Sequence, residues 1–291
     1  VKRILFASLA LSVSVACQNK HQGTYELEAA ASTGSDASAV IAEADALWEQ
    51  RGDAAQLEAA LAKYEEAWNL DPKNRHVSQR LTRGFYFLGD GHKTEMADKL
   101  AAWDTSITWG KKCLALNEEF VAILEKGDEA EDMAVRVATA DDVPCLYWSA
   151  SALGKWAKAS GLGKTLKNLP IVKAYQTKVT ELDPDYFYGG PDRYWGAYYA
   201  AIPSFAGQDL GKSKEHLDAS LASHNDYLGT HVIVAEYWAV KSQDGETFTR
   251  ELEWVLAQSP DIIPELRPEH EAEQRKAKAL LERKAELILE G

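Results

Sequence analysis

The feature that most constrains this chain is a helical period that comes in pairs. Apolar side chains fall at Leu57, Ala60, Leu61, Tyr64, Ala67 and Trp68, the stripe of a helix with one buried face. Asp53 stands where an N-cap is needed, with Gln56 three residues on, in the manner of a capping box. Asn69-Leu70-Asp71-Pro72 ends the helix, because proline cannot continue it. A shorter stripe, Ala44, Leu47 and Trp48 within Ala42 to Gln50, precedes it, and only Arg51-Gly52-Asp53 separates the two. Helices joined by so short a turn must lie side by side.

Small Ala60 and Ala67, aromatic Tyr64 and terminal Pro72 have the second-helix spacing of a tetratricopeptide (TPR) repeat: small residues where backbones approach, an aromatic in the groove, a proline stop. The pattern recurs with drift. Arg80 to Leu88 reads as the next first helix, ending at Gly89-Asp90-Gly91, with a partner from Thr94 to Asn117. Residues 118–143 break the period and accommodate an inserted helix. Pro144 opens an apolar helix to Ala159, whose partner carries Val172, Tyr175 and Val179 and ends in Leu182-Asp183-Pro184. Further pairs are Asp192 to Ile202 with the Leu210, Leu217, Leu221 stripe, and Thr230 to Val240 with Glu246 to Gln258. A charged last helix, Pro268 to Leu289, suits the cap that a solenoid needs at its end. Strand-like alternation is absent. The expected fold is all-α, a TPR-like α-α superhelix of about four to five helix pairs plus a C-terminal capping helix.

The N-terminus reads as a processing signal. Lys2 and Arg3 precede a twelve-residue apolar and small stretch, Ile4 to Val15, too short to span a bilayer. Ala16-Cys17 resembles a lipobox, with Ser14 in place of the usual Leu; an ordinary signal peptide with a chance cysteine is the alternative. The expected organisation is a signal peptide over 1–16, a lipidated flexible tether over 17–40 and a helical domain over 41–291. Gln18 is not the Asp that retains some lipoproteins in the inner membrane, which favours the outer one. In that oxidising compartment, Cys113 and Cys145 could bridge or could be two separately buried thiols. A net charge of −13 repels phosphate backbones, so nucleic acid is not an expected partner, and the membrane is met only through the lipid.

No motif carries catalysis, metal or cofactor chemistry. Ser160-Gly161-Leu162-Gly163-Lys164-Thr165 looks like the end of a P-loop, but Lys158 stands where its first glycine belongs and a helix precedes it. His216, His224 and His231 lack metal spacing and read as surface or helix-end residues; Asp141-Asp142 and Glu118-Glu119 read as solvated acids. The chain is expected to bind rather than catalyse.

Nine Trp and twelve Tyr are many for such an array. They gather on first helices: Tyr147, Trp148 and Trp156; Tyr194, Trp195, Tyr198 and Tyr199; Tyr237. Tyr194 and Tyr198 are four apart, as are Trp195 and Tyr199, so the two pairs face different ways. These eight are candidates to line a cavity for an organic ligand or peptide. The alternative is that all are core.

Residues from about 140 to 285 resemble the T component of TRAP (tripartite ATP-independent periplasmic) transporters. The resemblance rests on Pro144-Cys145-Leu146-Tyr147-Trp148 with Gly154-Lys155-Trp156; Leu182-Asp183-Pro184; Gly189-Gly190-Pro191 with Gly196-Ala197-Tyr198-Tyr199-Ala200 and Pro203; Ala235-Glu236-Tyr237; and Ala272, Ala277, Leu280 and Leu281. Pro268 departs from the family's usual Asn. The resemblance implies a periplasmic lipoprotein working beside a solute-binding protein (the P component), a homotrimer with a pore through each body, an organic and apolar cargo, and no catalytic residues. A generic envelope TPR adaptor is the other reading. Labelled palmitate should enter the wild-type chain and not Cys17→Ser; equal incorporation would rule out lipidation at this cysteine.

Overall fold

The computed structural model describes residues 36–126 and 131–289. The signal peptide, Cys17 and the tether up to residue 35 lie outside them. Among the described residues there is no strand, and no helix is long and apolar enough to cross a membrane.

The helices are α1 (Ala37–Trp48), α2 (Ala54–Leu70), α3 (Arg75–Phe87), α4 (Met96–Leu114), α5 (Glu118–Leu124), α6 (Glu131–Ala134), α7 (Val143–Ala159), α8 (Leu162–Leu182), α9 (Tyr186–Ala201), α10 (Leu210–Ser223), α11 (Leu228–Ile233), α12 (Val240–Ser242), α13 (Gly245–Ala257), α14 (Arg267–Glu282) and α15 (Lys284–Leu287). Consecutive helices pack in pairs: α1 on α2, α3 on α4, α7 on α8, α9 on α10. Asp53 caps α2 by accepting from the Ala55 and Gln56 amides. Gly196 lets α9 and α10 touch; a Cβ there would sit 2.4 Å from Leu217 Cγ.

Several boundaries differ from the sequence reading. The first helix begins at Ala37, capped by Asp36, not at Ala42. The third begins at Arg75, because the Asn74 side chain caps it by accepting from the Val77 amide. It does not stop at Gly89-Asp90-Gly91 but continues through a π-helical turn, Leu88–His92. That turn brings Gly89 against Trp103, where a Cβ would lie 2.8 Å from Nε1. A second π segment, Val234–Ala239, joins α11 to α12. Asp142 is not solvated: it is fully buried, accepts from the Thr139 amide and Asn117, and pairs with Arg75 at 2.8 Å. His231, expected at a surface or helix end, is buried between Glu251 (2.6 Å) and the Asn225 carbonyl, stacked on Trp254. Cys113 and Cys145 form a disulfide joining α4 to α7, with Cα atoms 6.0 Å apart.

The last long helix does more than cover an end. Its Ala272 lies in the apolar cluster of the first two helix pairs, with Trp48, Leu61 and Leu81. Its Ala277 belongs to the cluster of α11 and α13. About one turn before Ala272, buried Glu269 accepts from Arg51 through Nε at 3.0 Å and Nη2 at 2.9 Å, and from Arg83 Nη2 at 2.6 Å. Two turns further on, Lys276 meets Asp90 at 2.6 Å. The array therefore closes on itself.

Burial alone would raise the Glu269 carboxyl, but Arg83 and Arg51 outweigh it and hold it below the ordinary carboxylate value. Asp90 behaves likewise: burial raises it, and Lys155 and Lys276 bring it well below. Folded-state values below the unfolded ones mean that both contribute fully above about pH 4.5 and lose that contribution as pH falls. Burial pushes the His92 and His270 imidazoles down, so their protonation opposes folding from about pH 6.5 downward. Denaturant titrations should therefore show a shallow loss of stability below about pH 6.5 and a steep one below about pH 4.5. Glu269→Ala, which leaves two buried guanidinium groups uncompensated, should cost roughly 3–5 kcal/mol at pH 7. A cost within about 0.5 kcal/mol, the range of ordinary surface changes, would show that α14 is not held this way.

Candidate functional site

Closing the array leaves a central cavity of about 170 Å³, walled by α3 and its π turn, α7, α8, α9, α11 with its π segment, and α14. An apolar cavity of roughly 150 Å³ has room for a benzene ring, and this one is of comparable size. Aromatic side chains make much of the wall. Trp148 meets Phe187 at 4.7 Å, Tyr147 at 4.9 Å and Tyr86 at 5.1 Å between ring centroids. Such edge and tilted contacts hold each ring in one orientation.

Of the eight aromatics read from the sequence, Tyr147, Trp148, Tyr194, Tyr198 and Tyr237 line the cavity. Tyr194 hydrogen-bonds to the Ala150 carbonyl at 3.2 Å, tying α9 to α7. The other three face elsewhere. Trp195 is buried against α8, its indole N–H donating to Thr180 Oγ1 at 3.0 Å. Tyr199 stacks on His216 of α10 at 5.8 Å. Trp156 packs against the α4–α7–α8 core beneath Lys164. Gly161, with φ of 104°, makes the turn into α8, and Gly163 lies in the helix's first turn, where Thr165 donates to the Ala157 carbonyl.

The sequence reading missed the charged half of the wall. Asp90 lies between Lys155 (2.5 Å) and Lys276 (2.6 Å), and Lys276 also meets Glu273 at 2.8 Å. Arg193, 4% exposed, is among the most buried charges in the molecule. Its guanidinium donates to the Phe187 carbonyl at 2.9 Å and the Tyr188 carbonyl at 2.8 Å. These carbonyls belong to a short left-handed segment at the start of α9, where Phe187 and Tyr188 have φ of 50° and 58°. Non-glycine residues adopt that region only when surroundings enforce it. Arg193 is thus the clamp that turns Phe187 into the cavity. One signal was available: Asp192 and Arg193 are the sole charges in the otherwise uncharged run from Tyr186 to Ile202.

The described helices thus surround a cavity whose wall combines aromatic rings with buried charged groups. Against models of protein families, residues 92–288 match the TRAP transporter T-component. The chain therefore belongs to the TRAP transporter T-component family, and so is an accessory component of a TRAP transport system. The match starts upstream of residue 140, taking in part of the π turn, α4 and the inserted helices. No curated protein matches the chain.

The two faces of α9 should respond differently to truncation in urea unfolding. Trp195→Ala removes a buried ring and its hydrogen bond and should cost roughly 3–5 kcal/mol. Tyr198→Ala opens onto existing space and should cost less than about 1.5 kcal/mol. Equal costs would mean that Tyr198 is core.

Proposed function

We propose that this chain is a periplasmic lipoprotein, anchored through Cys17, that stands beside the solute-binding protein of its TRAP system and takes an organic solute into the central cavity. The observation that carries this reading is the cavity: six helical elements converge on it, and its wall is aromatic bodies with polar tips, which suits a solute of mixed character. Family membership supplies the transport setting. The adaptor reading needs an open concave face for a partner segment. Here α14 returns to α3 and its π turn, so Tyr147, Trp148, Tyr194 and Tyr198 look into a confined space.

Ala197 lies on the cavity wall between Tyr194 and Tyr198. Ala197→Trp should fill the cavity and lower solute uptake by the intact system about tenfold or more, as expected when a filled pocket excludes its ligand. Helical content by circular dichroism and co-precipitation of the solute-binding protein should stay at wild-type levels. Wild-type uptake with a folded, indole-filled variant would refute passage through the cavity.

A further inference from the structure

The turns that follow first helices lie at one end of the array. Along α3 and α7, Arg75 pairs with Asp142 at 2.8 Å and Asp90 with Lys155 at 2.5 Å, so the two run parallel. Along α7 and α9, a Cβ on Gly190 would lie 2.9 Å from the Tyr147 ring, and Tyr194 donates to the Ala150 carbonyl at 3.2 Å, so α9 runs the same way. The turns after α3, α7 and α9 therefore share an end. Each exposes a large apolar side chain: Met96 (52%), Leu162 (55%) and Phe205 (73%). Single exposed apolar residues are ordinary, but one on each of three neighbouring turns is a pattern. Leu162 stands between Gly161 and Gly163, where an added Cβ would meet nothing within 4 Å, so this tip carries one side chain.

The charge at this end runs against that of the chain. The formal charge of −13 is an average, and it is what led to the expectation that the membrane is met only through the lipid. From Val143 to Thr180 there are six lysines and no acid. Lys158, Lys164 and Lys167 of that run flank Leu162, and Lys212 and Lys214 follow Phe205 on α10. Four of these ammonium groups sit over rings: Lys158 is 4.3 Å from the Tyr237 centroid, Lys164 5.6 Å from Trp156, Lys212 5.5 Å from Tyr199 and Lys214 5.5 Å from Trp238. Asp209 caps α10 and Asp218 pairs with Lys214, which leaves Glu215 as the exposed acid in the first two turns of that helix. Glu95 and Asp98 lie beside Met96, so the basic part is the half around Leu162 and Phe205. Apolar tips, half-buried Trp and Tyr, and lysines whose stems run along rings are the residues that populate a bilayer interface. Tips on separate turns suit a surface that deforms around each of them, as lipid does.

We propose that this end of the folded body rests on an anionic lipid bilayer, with Leu162 and Phe205 entering the headgroup region and Lys158, Lys164, Lys167 and Lys212 on the lipid phosphates. This contact is additional to a lipid on Cys17 and independent of what the cavity holds. The described body starts at the opposite end, because α1 also runs parallel to α3: Asp45 meets His76 at 2.9 Å, and the Arg51 carbonyl meets His92 at 2.9 Å. The chain from Gln18 to residue 35 reaches at most about 60 Å, against roughly 18 Å for the length of α1, so one membrane can hold both the lipid and this end. Ala157, Lys158 and Thr165 also belong to the cavity wall, which places the bilayer against that end of the cavity.

Lysine acetylation read by mass spectrometry tests this on the full chain, mixed with vesicles of one part phosphatidylglycerol to two parts phosphatidylcholine. Lys158, Lys167 and Lys212 should react at least about threefold more slowly than without vesicles, while Lys73, exposed on the α2–α3 turn at the other end, should be unchanged. Phosphatidylcholine alone should slow them by less than about 1.5-fold, and molar salt should remove most of the protection. Leu162→Ser combined with Phe205→Ser, at two exposed positions, should bring the protection below about twofold with helical content unchanged. Equal slowing at Lys73, or no slowing at any lysine, would overturn the proposal. So would protection that survives the double substitution, or that is as large on phosphatidylcholine alone. Slowing of the same lysines by the purified solute-binding protein and not by vesicles would assign this end to a protein partner instead.

Discussion

Glu269 holds the molecule shut. Its carboxylate accepts from Arg51, 218 positions away in the chain, and from Arg83, so one buried acid ties the C-terminal helix to both of the first two helix pairs. A buried ion pair is a poor source of net stability, because taking the charges out of water offsets most of their attraction. What it supplies is a single docking position. Slide α14 by one turn and two guanidinium groups are buried without an anion. Apolar contact alone, through Ala272 and the Pro268 side chain near Gly52, would tolerate such a slip far better. The cavity exists because that slip is forbidden.

The closed array separates two electrostatic worlds. The chain as a whole carries a formal charge of −13, and much of that acid lies on exposed helix faces. The interior is balanced instead: Arg193, Arg83, Lys155 and Lys276 reach the cavity wall alongside Asp90, Glu236, Glu269 and Glu273. Each cation is held by a different device. Arg83 has a carboxylate, the lysines share Asp90, and Arg193 relies on carbonyls, hydroxyls and an aromatic face. The carbonyls that satisfy Arg193 come from a left-handed segment, so the cation and the irregular backbone support each other. Removing either disturbs the placement of Phe187, against which Trp148 and Tyr227 pack.

Much of the fold was legible from local pattern. The stripe from Leu57 to Trp68 is the buried face of α2, and Asp53 caps it. The spacing of the α9 aromatics separates Tyr194 and Tyr198 from Trp195 and Tyr199 in any helix. Less legible was everything whose partner is distant. The glycines flanking Asp90 suggested a stop, because a lone glycine pair usually ends a helix; Trp103 on α4 and the two lysines turned the segment into a π turn instead. Asp142 and His231 looked like solvated groups because their partners, Arg75 and Glu251, carry no mark in the sequence that points to them.

What the sequence by itself determined is the all-helical class, the approximate place of the main helices, and the division of aromatics between two faces of α9. These follow from caps, prolines and periodicity, interactions that reach no further than about four residues along the chain. Tertiary structure alone decided which of those faces looks inward, because α8 and α10 claimed Trp195 and Tyr199 and left Tyr194 and Tyr198 to the cavity. It also decided that the array closes, since a carboxylate finds its arginines across more than two hundred residues only when every intervening helix pair has been packed.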